Sequence, residues 1–522
     1  MSTSARARPE AVRPQPLQAA VELLQAAVVD STPHGAVVTG AVVTGVTHDS
    51  RDVLPGDVYA ALPGQRGHGA EFAGQAVAAG ATAVFTDPAG QAIAAAATGD
   101  TRTPVLVVPD VRARLGQLAA WVYGEPARDL LLIGVTGTNG KTTTAYLLEG
   151  GLRAAGHRTG LLGTIETRIG HDVTPSVRTT PEATDLHALL AVMRERGVTA
   201  VAMEVSSHAL ALGRVGGLVF DVALFTNLSA DHLDFHGDLE DYFSAKASLF
   251  TAQRCRQAVV DVDDAYGRRL AATVDVPVTT VSVGGGAPDA PADWCASEVV
   301  AERSGLSRFR ARGPAGQDME VAIGLAGDFN VANALLAVAG LRAAGVDGAA
   351  AVRGLSEVSV PGRMERVGDG QPFTVVVDYA HSPDALSRAV AALRPATRGR
   401  LLLVIGCGGD RDRQKRPLMG EIAARSADIV VVTDDNPRAE EPAAIRAAVL
   451  AGARKVPALH RAEVIEVGDR RAAIREAIHR ARPGDTLLVA GKGHETGQEV
   501  DGSVLPFDDR RVVRAVLAEV PA

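Results

Sequence analysis

A chain of 522 residues, 46% hydrophobic and 22% charged, is globular and too long for one core, which points to about three domains. Its formal net charge of −8 argues against a nonspecific nucleic-acid binder, and no apolar run is long enough to span a membrane. The three cysteines, Cys255, Cys295 and Cys407, lack metal-ligand spacing and cannot all pair, which suits a reducing cytoplasm.

Pro9, Pro14 and Pro16 mark the first fifteen or so residues as a mobile tail. Arg6 and Arg8 are not followed by the apolar stretch of a signal peptide. Residues 1–127 then alternate short β-type runs with Ala-rich helices, with a strand over 105–108 and a helix over 115–123. Pro126 marks a boundary. Residues 128–360 show strand patterns at 130–135, 198–205, 219–225 and 257–262 with helices between, the rhythm of a mainly parallel sheet, and 284–291 reads as a surface loop. Pro361-Gly362 opens a third unit, 361–522, with strands at 373–377, 400–405, 428–433 and 486–490. The fold class is therefore α/β in three domains, the last doubly wound, without internal repeats.

The run Thr136-Gly137-Thr138-Asn139-Gly140-Lys141-Thr142-Thr143 lies between an apolar strand and a helix. A strand, a glycine turn and a helix start place several backbone N–H groups around one anion. Lys141 would reach nucleotide phosphates and the Thr142 hydroxyl would hold Mg²⁺, although Val135 stands where the strict pattern has glycine. Lysine itself is scarce. Of 53 basic residues only Lys141, Lys246, Lys415, Lys455 and Lys492 are lysines. In an arginine-preferring chain, a retained lysine points to ammonium or amine chemistry that guanidinium cannot supply.

Glu204 ends the strand at 198–205 and is followed by Ser206, Ser207 and His208. A carboxylate at that sheet end suits Mg²⁺, and the serines equally suit a helix cap. Asp231, His232, Asp234 and His236 follow the next strand; without CxxC or HExxH they fit Mg²⁺ with phosphate better than structural zinc, or else form a solvated polar loop. Lys246 lies on the helix after them, which extends through 250. Asn330 and Asn333 share a face near a helix start and could bond an adenine or cap the helix. In the third unit, loops from Asp378, Gly406, Asp434 and Gly491 converge on one sheet edge and combine arginine with acid, which suits a zwitterionic amino acid. The Gly406–Gly409 spacing is not that of a dinucleotide fingerprint.

Together these segments resemble the Mur ligase family across nearly the whole chain. The resemblance rests on Asp49-Ser50-Arg51 with Pro55-Gly56-Asp57, TGTNGKTTT from Thr136, Arg178-Thr179-Thr180-Pro181, EVSSHAL from Glu204, Asp231 to His236, and YFSAK ending at Lys246. It continues through PGRMERV from Pro361, DYAHSPDAL from Asp378, GGDRD from Gly408, DNPR from Asp435 and GKGHE from Gly491. It implies an N-terminal α/β UDP-binding domain, a central P-loop-type ATPase and a C-terminal Rossmann-like domain. The implied activity is ATP-dependent amide formation between UDP-N-acetylmuramoyl-L-Ala-D-Glu and meso-2,6-diaminopimelate, through an acyl phosphate, by a cytoplasmic monomer of peptidoglycan precursor synthesis.

The resemblance also implies site residues. Ser50 and the loop 64–68, with His68, would lie near the UDP; Thr179, Thr180, Ser206 and Arg214 would hold the muramoyl-dipeptide part. The segment Gly137 to Thr143, with Asn330 and Arg363, would bind ATP. Lys141, Glu204, His232 and Lys246 would be catalytic. Two Mg²⁺ ions would be held by Thr142, Glu204, His232 and a CO₂-derived carbamate on Lys246, a change open to an amine but not to guanidinium. Arg411, Asp435, Asn436, Pro437, Arg438, Gly491 and Glu495 would bind diaminopimelate, the arginines taking its distal carboxylate and Glu495 its distal ammonium. Lysine would leave that arginine site unpaired, so DNPR favours diaminopimelate. Departures are Ser382 where threonine is common, and Thr496-Gly497 where an acid and an aromatic are common. A lysine-adding relative, folylpolyglutamate synthase and a non-catalytic nucleotide-binding scaffold are the alternatives.

Overall fold

The computed structural model describes residues 7–29, 40–64, 67–99, 103–284, 286–287, 290–302, 306–368 and 370–519. Three sheets, each built from its own stretch of chain, organise it. The first has five strands in the order Ala27–Val29, Val105–Val107, Ala83–Thr86, Asp57–Ala60 and Gly45–Thr47. All its pairings are parallel except that of Ala27–Val29.

The central sheet has eleven strands. Its inner strands, from Thr159–Leu162 through Ala200–Glu204, Leu131–Thr136, Val222–Phe225, Ala258–Asp261 and Val278–Ser282 to Trp294–Ala301, run parallel. At its centre Leu131–Thr136, Ala200–Glu204 and Val222–Phe225 are short apolar runs buried on both faces, as such a position requires. Antiparallel strands close both edges, Glu166–Ile169 with Asp172–Pro175 at one and Ser307–Arg312 with Asp318–Ile323 at the other. Neither edge is among the strands expected from sequence. Ser307–Arg312 nevertheless alternates buried Ser307, Phe309 and Ala311 with Arg308, Arg310 and Arg312, the period of a half-solvated strand. The outward arginines pair with Glu302, Asp318 and Glu298 on the solvated face of this strand, which lies between Trp294–Ala301 and the edge strand Asp318–Ile323.

The third sheet runs Glu365–Arg366, Thr374–Asp378, Thr486–Ala490, Leu401–Ile405, Ile429–Val432 and Glu463–Glu466, parallel except for the first pair. Separate apolar clusters cover its two faces, which makes it doubly wound as expected.

Three local expectations change. The chain from Arg8 is docked rather than mobile: the Arg8 guanidinium pairs with Asp57 at 2.7 Å, the Glu10 and Ala11 N–H groups donate to the Glu195 carboxylate, and Gln15–Pro16 pairs with Val42–Val43. Within 284–291, Gly286–Ala287 pairs with Ala290–Pro291 in a short ladder. The lysine-bearing helix, Leu239–Ala247, ends before Phe250. Among the described residues no helix is long and apolar enough to cross a membrane.

Candidate active site

The strand Leu131–Thr136 leads through a four-residue turn into the helix Lys141–Ala154. Gly137 (φ 146°) and Gly140 (φ 89°) take backbone conformations that favour glycine. A Cβ on Gly137 would collide with Thr226 Oγ1, and one on Gly140 with Asn333 Oδ1. The next parallel strand supplies the braces. Asn227 O accepts from Thr138 N–H, Asn227 Oδ1 accepts from Asn139 N–H, and the Thr226 hydroxyl donates to Asn139 O. Lys141 folds back, its Nζ donating to Gly137 O at 3.0 Å and Thr138 O at 2.9 Å. Burial lowers the pKa of this amine, while Glu204 and Asp231 pull it back up.

Glu204 stands at the end of the adjacent strand, almost fully buried. Its Oε2 accepts from the hydroxyls of Thr142 at 2.9 Å and Thr164 at 3.1 Å, and its Oε1 accepts from the Thr164 N–H at 2.7 Å. Three donors hold one buried carboxylate in place. Ser206 also caps the short helix Ser207–Ala211, so capping and carboxylate placement coexist at this strand end.

Lys246 is 1% exposed. Its Nζ donates to Gly137 O at 2.6 Å and lies 4.5 Å from the Tyr242 ring centre; among the described residues no carboxylate pairs with it. Burial, reinforced by Lys141, lowers its pKa well below the ordinary lysine value, with Asp231 opposing.

His232 has φ 54° and its ring meets that of His208 edge-on at 4.9 Å. Burial lowers its pKa and Asp231 opposes the shift. His236 turns inward instead, its Nε2 2.9 Å from Ser207 Oγ. The Asp234 side chain lies outside the described residues.

One cleft of about 480 Å³ gathers these groups. Of the residues anticipated from sequence, it takes in Thr138 to Thr143, Thr179, Thr180, Glu204, Ser206, Arg214, His232, Lys246, Arg363 and Arg411. Thr180 receives the Ser206 N–H and donates to Glu204 O, and Arg214 pairs with Glu182 at 2.9 Å. Arg363, from the start of the third unit, donates to Thr142 Oγ1 at 3.3 Å and stacks on Tyr379 at 4.4 Å.

Other anticipated residues stand outside the cleft. Gly137 shapes the turn from behind. Asn330 bonds Ala326 O and Asn333, which puts it to work on its own helix. Ser50 bonds Gln75 in the N-terminal domain, and His68 caps a turn there. His68 Nδ1 accepts from Ala70 N–H, so its proton sits on Nε2 facing Asp87 at 3.1 Å. Gln65 and Arg66, within the expected UDP loop, lie outside the described residues. The cluster Asp435, Asn436, Pro437, Arg438, Gly491 and Glu495 forms a separate group at the third sheet's edge: Asn436 bonds Glu495 at 2.8 Å, and Arg438 bonds Glu499 at 3.0 Å and Gly409 O at 2.7 Å. Thr164, Asn227, Tyr379 and His381 had no expected role; Tyr379 and His381 lie inside the DYAHSPDAL motif, and only contact with the turn and the cleft singles the four out.

Among the described residues no three His, Cys, Asp or Glu side chains gather into a protein-only metal shell. The Thr142 hydroxyl beside the Glu204 carboxylate is an oxygen donor set, which fits a hard divalent cation that takes its remaining ligands from phosphate and water.

Family models match in chain order: Mur ligase family, catalytic domain, over 42–123; Mur ligase middle domain over 135–341; and Mur ligase, glutamate ligase domain, over 362–493. The chain is 58% identical over 477 residues to the UDP-N-acetylmuramoyl-L-alanyl-D-glutamate--2,6-diaminopimelate ligase of Streptomyces coelicolor, covering 91% of this chain and 92% of that one. The chain belongs to the Mur ligase family. The like-named protein of Corynebacterium glutamicum is 53% identical, with 88% of this Mur ligase and 89% of the relative covered. A solved structure of a 2,6-diaminopimelate ligase of that name is 33% identical and superposes with a TM-score of 0.64, covering 92% and 95% of the two chains. The three-domain α/β architecture of this Mur ligase is thus the family's.

Proposed function

We propose that this ligase joins an amine of meso-2,6-diaminopimelate to the D-glutamate side-chain carboxylate of UDP-N-acetylmuramoyl-L-Ala-D-Glu, with ATP converted to ADP and phosphate. The observation that carries the reading is that Lys141, Thr142, Glu204 and Lys246 face one cleft which Arg363 and Arg411 of the third unit also line. The names of the highly similar relatives support the substrates. We assign residues 1–127 to the UDP part, 128–360 to ATP and 361–522 to the amino acid, in a cytoplasmic monomer of peptidoglycan precursor synthesis.

A carboxylate oxygen is a poor leaving group, so activation precedes amide formation. The glutamate carboxylate attacks the γ-phosphorus and ADP leaves. Lys141 exchanges its loop carbonyls for phosphate oxygens, and Gly137 to Thr143 present backbone N–H groups to them. Asn330 keeps the helix beside the turn in register, and Arg363 reaches the same phosphates from the far wall. Thr179, Thr180, Ser206 and Arg214 orient the dipeptide arm, while Ser50 and His68 serve the UDP end. The diaminopimelate amine, held by Arg411 and the Asp435–Arg438, Gly491 and Glu495 group, attacks the acyl carbon. The tetrahedral intermediate expels phosphate and the amine proton passes to solvent. Closure of the third domain brings the two reactants together and excludes water.

Thr142, Glu204, His232 and a carbamylated Lys246 would hold two Mg²⁺ ions, which when bound supply charge neutralisation for phosphoryl transfer. The burial that lowers the Lys246 pKa supports the carbamate, because CO₂ adds only to an unprotonated amine. The test is phosphate release with the UDP-muramoyl dipeptide and either diaminopimelate or lysine. Release with diaminopimelate alone is expected; release with lysine in preference, or no release, would end the reading.

A further inference from the structure

Lys492 is one of the five lysines and has no part in the chemistry above. It is buried completely, at 0% exposure. Its Nζ donates to Asn436 Oδ1 at 2.8 Å and to Glu495 Oε2 at 3.0 Å. Asn436 Nδ2 donates to the same Glu495 Oε2 at 2.8 Å, and the Glu499 N–H donates to Asn436 Oδ1 at 3.0 Å. The three side chains close a triangle. It fixes the Asn436 carboxamide, oxygen towards the lysine and nitrogen towards the glutamate. It also commits Oε2 of Glu495 inward, while Oε1 has no protein donor among the described residues.

The loop admits little else. Gly491 and Gly493 both have positive φ, and a Cβ on Gly493 would lie 2.6 Å from Gly362 O and 2.7 Å from Tyr379 Cβ. A guanidinium is broader and planar, so a compact ammonium is the base that fits.

The charge balance has a consequence for selectivity. Glu495 presents one free oxygen, and Lys492 cancels its charge from behind. The local group then suits the distal end of an amino acid that carries both ammonium and carboxylate, with zero net charge. A distal end that is a bare ammonium would be favoured by uncompensated negative charge instead. We propose that Lys492 is a positioning residue that sets amino-acid selectivity, by fixing Asn436 and Glu495 and by offsetting the charge of Glu495. The inference rests on the proposed diaminopimelate substrate.

Steady-state kinetics of Lys492→Met and Lys492→Gln in the full chain test it. Glu495 is partly exposed, with 31% of its side chain accessible, so water can take over one lysine contact and the fold should persist. Lys492→Met should raise KM for diaminopimelate about ten- to a hundredfold, the range of a hydrogen bond to a charged group. KM for ATP and for the UDP-muramoyl dipeptide should stay within about twofold, and the preference for diaminopimelate over lysine should narrow. Lys492→Gln, which keeps a donor, should fall between Lys492→Met and the wild type. Equal loss on all three substrates, an unchanged diaminopimelate-to-lysine ratio, or loss of the fold in both variants by circular dichroism would overturn the assignment. No diaminopimelate-dependent phosphate release by the wild type would instead remove the proposed function itself.

Discussion

Burial decides the chemistry of single residues here. Lys246 has one backbone acceptor and an aromatic face instead of a carboxylate, and its lowered pKa follows from that. Lys246→Ala should lose most ligase activity, with small carboxylic acids restoring part of it by occupying the vacated position. Normal turnover by the variant in a phosphate-release assay would exclude a carbamate role. His187 shows the same physics away from the cleft. Its Nε2–H donates to Gly216 O at 2.9 Å, and its buried Nδ1 has no partner. A second proton would sit on that unpartnered nitrogen, so burial lowers the pKa to about 4. The unfolded chain binds this proton near the ordinary value of about 6.5. Stability is therefore fully present above about pH 6.5, is lost as pH falls toward about 4, and levels off below, a change of about 3 kcal/mol. Urea unfolding at pH 7.5 and 4.5 should show a smaller acid loss for His187→Gln than for the wild type. Equal losses would mean the imidazole is already charged in the folded protein.

At the scale of elements, glycines set how closely helices approach. The helix Val111–Val122 meets the loop of Gly213 to Gly217 backbone to backbone, and a Cβ on Gly116 would lie within atomic overlap of Gly216 O and C. That contact joins the N-terminal domain to the central one, whose helix Ala183–Glu195 contributes Ala183, Ala188 and Ala191 to the N-terminal core. Gly116→Ala should cost about 1–3 kcal/mol, the usual range for overpacking, with faster amide exchange in both helices. Unchanged exchange and unchanged unfolding would show that the two backbones can separate freely. The P-loop helix follows the same rule, since its Gly150 and Gly151 admit Gly354 of the helix Gly348–Ser356.

At the scale of the molecule, polar contacts tie the N-terminal domain to the central one, as Glu10 and Ala11 to Glu195 and Arg194 to Tyr123 O do, and the third domain to the nucleotide turn. Asn139 Nδ2 donates to Asp384 Oδ2 at 3.2 Å, and Arg363 donates to Thr142, so the third domain touches the nucleotide turn at two points. Of the amino-acid cluster's anticipated members Arg411 alone lines the cleft, and the cleft residue Tyr379 stacks on His494, which neighbours Glu495, at 4.9 Å. Asp384→Ala removes one of the two contacts and should enlarge the radius of gyration of the ligand-free protein in small-angle scattering. Identical scattering curves would show that this bond does not hold the domains. Arg363→Ala should reduce kcat/KM for ATP about ten- to a hundredfold, as loss of a hydrogen bond to a charged group does.

The amino-acid order by itself determined the three α/β units, the parallel inner strands, the glycine turn carrying Lys141 and Thr142, and the family. These features are local: apolar runs, turn residues and motif spacing lie within a few residues of one another. The scarcity of lysine also singled out Lys246 and Lys492 before any contact was known. The antiparallel edges, the docking of Arg8 on Asp57, and which of the expected residues line the cleft were decided by the tertiary structure. So were the burial and lowered pKa of Lys246, 109 residues from its acceptor on Gly137, and the buried triangle joining Lys492 to Asn436 across 56 residues. A pKa and a charge balance depend on which groups the fold brings together and how much water it leaves beside them, and neither is written in any short stretch of chain.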